Sequence, residues 1–212
     1  MQNSKRDLNR EERRLKMIIA AAEIYSYKGI DSTTMQEVAD KAKIGVASLY
    51  RYFPGKIDLA VATAIYLWEQ TFLPLGEFIS RGNTAWANIN NYMNGFLVLF
   101  KEKPDFFRFI ENFDNYISRQ TVRPESLNAY EVLLSEQDNQ MILILEKGQE
   151  NLSIRSDIDV ADYYSISTRT IMAFAQKLLL RGRILQSDNS DPEKDLKTLI
   201  TILLENIKLI KD

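Results

Sequence analysis

Apolar side chains recur along this chain every three or four residues, and nowhere do they alternate singly between turn signals. That period gathers them on one face of a helix, so the chain is predicted to be all-α, with about nine helices. The first fits Arg10 to Lys28, with Asn9 as N-cap, Glu12 three residues on, and Gly29 as the stop. Its expected buried stripe is Leu15, Ile18, Ile19, Ala22 and Tyr25. A second runs from Met35 to Ala42 behind a Thr34–Glu37 capping box, and a third from Val46 to Phe53, ended by Pro54-Gly55. The fourth starts at Ile57 and is stopped or kinked at Pro74; Arg81-Gly82-Asn83 is read as a loop. Thr84 opens a fifth to Glu102, Pro104 a sixth to Ile117, and Pro124 a seventh to Lys147-Gly148. An eighth runs from Asp159 to Arg183, a polar loop covers Gln186 to Ser190, and Asp191-Pro192-Glu193 starts a ninth that reaches the C-terminus.

The last two helices are apolar over too much of their circumference for one neighbour. The ninth has a narrow polar stripe through Lys194, Lys197, Thr201, Glu205 and Lys208, and the eighth holds unbroken apolar runs at Ile171–Ala175 and Leu178–Leu180. So wide an arc asks for a second partner, here another copy of the chain. The expected seam comprises Ile171, Phe174 and Leu178 with Leu196, Ile200, Leu203 and Ile207.

Composition narrows the function. The chain has no Cys and no His, which removes disulfides, thiolate metal sites and the commonest general base and zinc ligand. No cofactor is expected, and an enzyme becomes the weaker reading. No apolar run is long enough to span a membrane, and the polar start does not look like a secretory signal, so a cytoplasmic protein without a membrane partner is expected. Net charge is −2 over 212 residues but unevenly spread. Residues 1–56 carry 11 Lys/Arg against 7 Asp/Glu, net +4, while the remainder carries 16 against 22, net −6. A basic end on an acidic body suits a module that meets phosphate.

The segment Thr33 to Lys56 gives that basic end a mechanism. Val38, Ala39 and Ala42 can face Leu49 and Tyr50 across the Lys43-Ile44-Gly45 turn, so the two helices cross steeply. The third helix then offers Val46, Ala47, Ser48 and Arg51 away from that core. Small and hydroxyl side chains let a helix approach base edges, and Thr34, Tyr52 and Lys56 flank it where phosphates would lie.

Gly29, Thr33-Thr34, Val38-Ala39, Ala42, Leu49-Tyr50, Tyr52-Phe53, Lys56 and Leu59 together resemble the N-terminal signature of TetR-family transcriptional regulators. The resemblance covers roughly residues 10–60 and implies an all-α homodimer, with three helices for DNA and six for effector and partner. Residues 1–55 would then be the DNA-binding domain and 56–212 the effector-binding and dimerisation domain. It implies phosphate contacts from Thr34, Tyr50, Tyr52 and Lys56, and groove contacts from Met35, Val46, Ala47, Ser48 and Arg51. Three positions depart from the family pattern. Lys43 stands at its frequent turn glycine and adds a cation, Gly45 replaces its usual cap serine, and Ala47 its common helix-three glycine.

The body concentrates aromatic residues between the fourth and seventh helices, and a minority are expected to line a pocket for a small-molecule effector. Candidates are Trp68, Phe72, Tyr92, Phe96, Phe109, Asn112, Phe113 and Tyr116. The expected activity is a dimeric repressor released from a palindromic double-stranded DNA operator by that effector. The alternative is a helical small-molecule-binding or interaction protein without DNA binding.

Overall fold

The structure, a computed structural model, describes residues 2–72, 74, 82–184 and 191–209. Among these residues there are nine helices: α1 (Gln2–Lys28), α2 (Met35–Lys41), α3 (Val46–Tyr52), α4 (Lys56–Thr71), α5 (Ala85–Glu102), α6 (Pro104–Ile117), α7 (Pro124–Glu150), α8 (Val160–Ile184) and α9 (Pro192–Ile207). The one β-type pairing among them is an isolated antiparallel bridge between Ile154 and Lys208. The predicted Gln186–Ser190 loop, the Arg81 side of the earlier loop and the residues around Pro74 lie outside the described residues.

The chain forms two compact units, one of residues 1–68 with 108–131, the other of 69–107 with 132–212. In the first, α2 packs on α1 and α3. Its core is Met17, Ile18, Ala21, Tyr25, Val38, Ala39, Leu49 and Leu59, all essentially sealed from solvent. Two expectations for α1 are corrected. It extends back to Gln2, because residues 2–9 contain no Gly or Pro and Asn9 is only mildly unfavourable within a helix. Its buried face is also shifted from the expected stripe: Ile18, Ala22 and Tyr25 are buried as expected, but Leu15 and Ile19 are exposed and Met17, Ala21 and Ile24 are buried as well. Residues 17, 18, 21, 24 and 25 make the denser apolar set, so the core takes that face.

Gly29 ends α1 at φ 82°, and its N–H donates to Tyr25 O at 3.0 Å. This backbone strains any side chain, and a Cβ there would also come within 3.2 Å of Asn112 Oδ1. The capping box at α2 is present: Glu37 N–H donates to Thr34 Oγ1 (3.2 Å) and Thr34 N–H to Glu37 Oε2 (2.8 Å). Each bond satisfies an N–H that the helix itself leaves open.

In the second unit α9 packs on α5 and α8, around Ile89, Met93, Phe96, Leu145, Ile171, Leu196 and Ile200. Gly148 is not the end of α7 but a close-approach point inside it. A Cβ there would fall 2.6 Å from Ile154 Cδ1 and 2.7 Å from Ala85 Cβ. The chain after α7 folds back over this point, with Ser153 and Ile154 N–H both donating to Gly148 O. Its next residue, Arg155, donates its N–H to Ile207 O (3.1 Å), and α9 ends there instead of continuing to the C-terminus.

Candidate nucleic-acid interface

The turn between α2 and α3 puts Lys43 at φ 57°, the left-handed region that glycine enters without strain. The family's usual glycine at this turn thus has a physical reason, and Lys43 accepts some strain to place an ammonium there. Gly45 N-caps α3 from an extended backbone with no side-chain bond, leaving the start of α3 without a capping hydroxyl.

From that start the face of α3 divides cleanly. Leu49 is completely buried against α2, while Ala47, Tyr50 and Arg51 are exposed and Val46, Ser48 and Tyr52 half-buried. Arg51 Nη2 donates to Ser48 Oγ at 3.3 Å, which pre-sets the guanidinium along the helix. Tyr50 is 48% exposed, so it belongs to the open face and not to the α2–α3 core.

Two further expected contacts sit differently. Met35 is buried, because it shares its face with Val38 and Ala39 at the i+3 and i+4 positions; its side chain is packed inside and does not reach a groove. Thr34 is exposed, but its hydroxyl both accepts from Glu37 N–H and donates to Glu37 Oε2 (3.0 Å). Glu37 in turn takes a hydrogen bond from the Lys28 ammonium, which with Thr34 holds its carboxyl at about 2. Sequence reasoning found the box but missed Lys28, whose reach across nine residues leaves no local signal.

Lys56 faces inward: its ammonium donates to Ile30 O (2.7 Å) and Asp31 O (3.0 Å) and lies 5.6 Å from the Tyr116 ring centre. Burial lowers its pKa. Arg119, from the segment after α6, pairs with Asp31 beside it.

The expected effector residues divide between the units. Trp68, Phe109, Asn112, Phe113 and Tyr116 belong to the first, where Trp68 Nε1 donates to Tyr130 Oη (2.9 Å) and Phe113 meets the same ring edge-on. Phe72, Tyr92 and Phe96 belong to the second and stack edge to face, with centroids 5.1 and 5.3 Å apart. An open groove of about 660 Å3 lies among Trp86, Asn151, Leu152, Ser153, Glu205 and Lys208, and none of the eight lines it. The expected seam is also corrected. Ile171, Leu178, Leu196, Ile200 and Ile207 are buried within their own unit, whose interior they fill, so a partner cannot reach them. Phe174 and Leu203 are part-exposed, and the large apolar side chains left most open on α8 and α9 are Ile166 and Ile202, each 62% exposed, followed by Leu180.

The model of the bacterial regulatory proteins of the tetR family matches residues 18–63, the stretch from the buried face of α1 through the first half of α4. This is a TetR-family head. Over 79 residues the chain is 32% identical to the HTH-type transcriptional repressor KstR of Mycolicibacterium smegmatis, covering 37% of this chain and 39% of that protein. Over 55 residues it is 38% identical to the HTH-type transcriptional activator FasR of the same organism, covering 26% of this chain and 25% of that one. The chain thus spans well under half the length of the curated relatives it matches. The fold reaches further than the sequence likeness. The crystal structure of the transcriptional regulator FadR from Bacillus subtilis in complex with stearoyl-CoA is similar over 91% of this chain and 98% of that one, with a TM-score of 0.72 at 18% identity. The TetR-family head therefore carries the sequence signal, and the remaining helices share only the fold.

Proposed function

We propose that this chain is a DNA-binding transcriptional regulator that works as a homodimer and leaves a palindromic operator when a small molecule binds its second unit. The observation that carries the reading is the divided face of α3, with Leu49 sealed inside, Ala47, Tyr50 and Arg51 left open and Ser48 half-open beside them in a TetR-family head. Ser48 and Arg51 are positioned for base edges, and Lys43, Tyr50 and Tyr52 for phosphates. Two copies joined through Ile166, Phe174, Ile202 and Leu203 would present two heads to two half-sites. The Phe72–Phe96–Tyr92 stack suits an effector with an apolar body, and stearoyl-CoA, carried by FadR, is the first compound to try.

Among the described residues no helix is long and apolar enough to cross a membrane, and no three His, Cys, Asp or Glu side chains are placed to hold a metal ion. The family likeness points to a regulator and not to an enzyme. Site selection from random duplex DNA tests the reading. A two-fold-symmetric consensus, shifted by a dimer and released by an effector, is expected. Recovery of no preferred sequence would favour a helical binding protein without DNA function.

A further inference from the structure

The ammonium of Lys56 has three N–H groups, and two are spent inside the protein on consecutive carbonyls of the Gly29–Thr33 loop. Ile30 O is shared with Thr33 N–H (3.3 Å), and the Thr33 hydroxyl donates to Gly29 O (2.7 Å), so the loop is closed on itself around the point where Lys56 enters. Those carbonyls follow the C-terminus of α1, where a cation is favoured by the helix dipole. The other side of the ammonium is covered by the Tyr116 ring of α6. The groups around it are Asp31, whose carboxylate is held by Arg119, and the Glu37–Lys28 pair. The loop leads directly into Thr34, the N-cap of α2, and α2 carries α3.

We infer that Lys56 is a positioning residue for DNA reading: it ties the α1–α2 loop to α4 and α6 and so fixes the placement of α2 and α3, and it does not act as a phosphate ligand. Two of its three N–H groups are thus occupied, and an aromatic face lies against the ammonium, before any phosphate arrives. The inference rests on the proposed DNA-binding function, while the tie itself can be tested without DNA.

The test uses the full chain with Lys56→Met, which keeps the apolar stem and removes the charge, and with Tyr116→Leu, which removes the ring and cannot touch DNA. Lys56→Met should weaken operator binding roughly tenfold, the scale of a lost charged hydrogen bond. The slope of log K against log salt should stay that of the parent protein. Amide exchange at Thr33 should quicken in the DNA-free protein while the second unit stays protected. Tyr116→Leu should shift affinity and exchange in the same direction by less, and Lys56→Arg should restore both. A slope flattened by about 0.9 for Lys56→Met would make Lys56 a phosphate ligand and overturn the inference. Unchanged exchange at Thr33 would overturn it equally. A chain that shifts no DNA would sink the proposed function, and the exchange result alone would then decide whether Lys56 ties the loop.

Discussion

Tyr92 and Tyr164 share a hydrogen bond of 2.9 Å between their hydroxyls in the interior of the second unit, with ring centroids 5.8 Å apart. Both are sealed from solvent, and burial pushes Tyr92 up to about 12 and Tyr164 higher still. The Asp138 carboxylate on α7 adds to the upward push on Tyr164. Either hydroxyl can donate to the other, and the bond ties α5 to α8.

Removing either hydroxyl leaves the other buried without this partner. Tyr92→Phe and Tyr164→Phe should each cost about 1–3 kcal/mol, and the double variant less than the sum of the two. Urea unfolding of the three variants reads this out, and additive losses would mean that the two hydroxyls do not depend on each other.

The capping box should make the head sensitive to acid. Glu37 is held near 2 first by the Lys28 ammonium and then by Thr34, below its ordinary 4.5. A carboxyl lowered on folding stabilises the fold above its unfolded pKa and loses that contribution as pH falls toward the folded value. The advantage of the parent protein over Glu37→Gln should be full at pH 7 and should shrink between about 4.5 and 2. Thermal melts across that range test it, and a pH-independent difference would assign the effect to helix propensity instead.

Base preference should rest on the Ser48–Arg51 pair. Replacing Arg51 with Ala should change the preferred base at one symmetric operator position by about 1–3 kcal/mol, and Ser48→Ala should release the guanidinium it orients. Site selection with each variant reads this out. Weaker binding with the same consensus would move Arg51 to the phosphate backbone.

The dimer face can be probed without harming the monomer. Ile166 and Ile202 are each 62% exposed, so a charge there costs an isolated chain little. Buried at a two-fold seam, the same unpaired charge costs several kcal/mol and appears twice. Ile202→Glu or Ile166→Glu should therefore give folded monomers by ultracentrifugation, whereas Leu8→Glu, equally exposed on α1, should leave the dimer intact. Dimers that survive both changes would place the seam elsewhere.

What the sequence determined by itself is what local chemistry encodes. The period of three to four residues, the Thr34–Glu37 box and Pro-marked starts such as Pro104, Pro124 and Pro192 suffice to place all nine helices seen among the described residues. The combination from Gly29 to Leu59 likewise points to the family of the head, because short-range steric and capping needs leave few residue choices at those positions. Tertiary structure alone decided where the edge of the buried stripe on α1 falls and which apolar residues of α8 and α9 their own unit consumed. It also bent Lys56 toward carbonyls 25 and 26 residues away, and it brought the Tyr92 and Tyr164 hydroxyls, 72 residues apart, into one hydrogen bond. Such choices depend on how many partners each face finds once the helices are packed. Residues distant in sequence carry no spacing that announces their meeting.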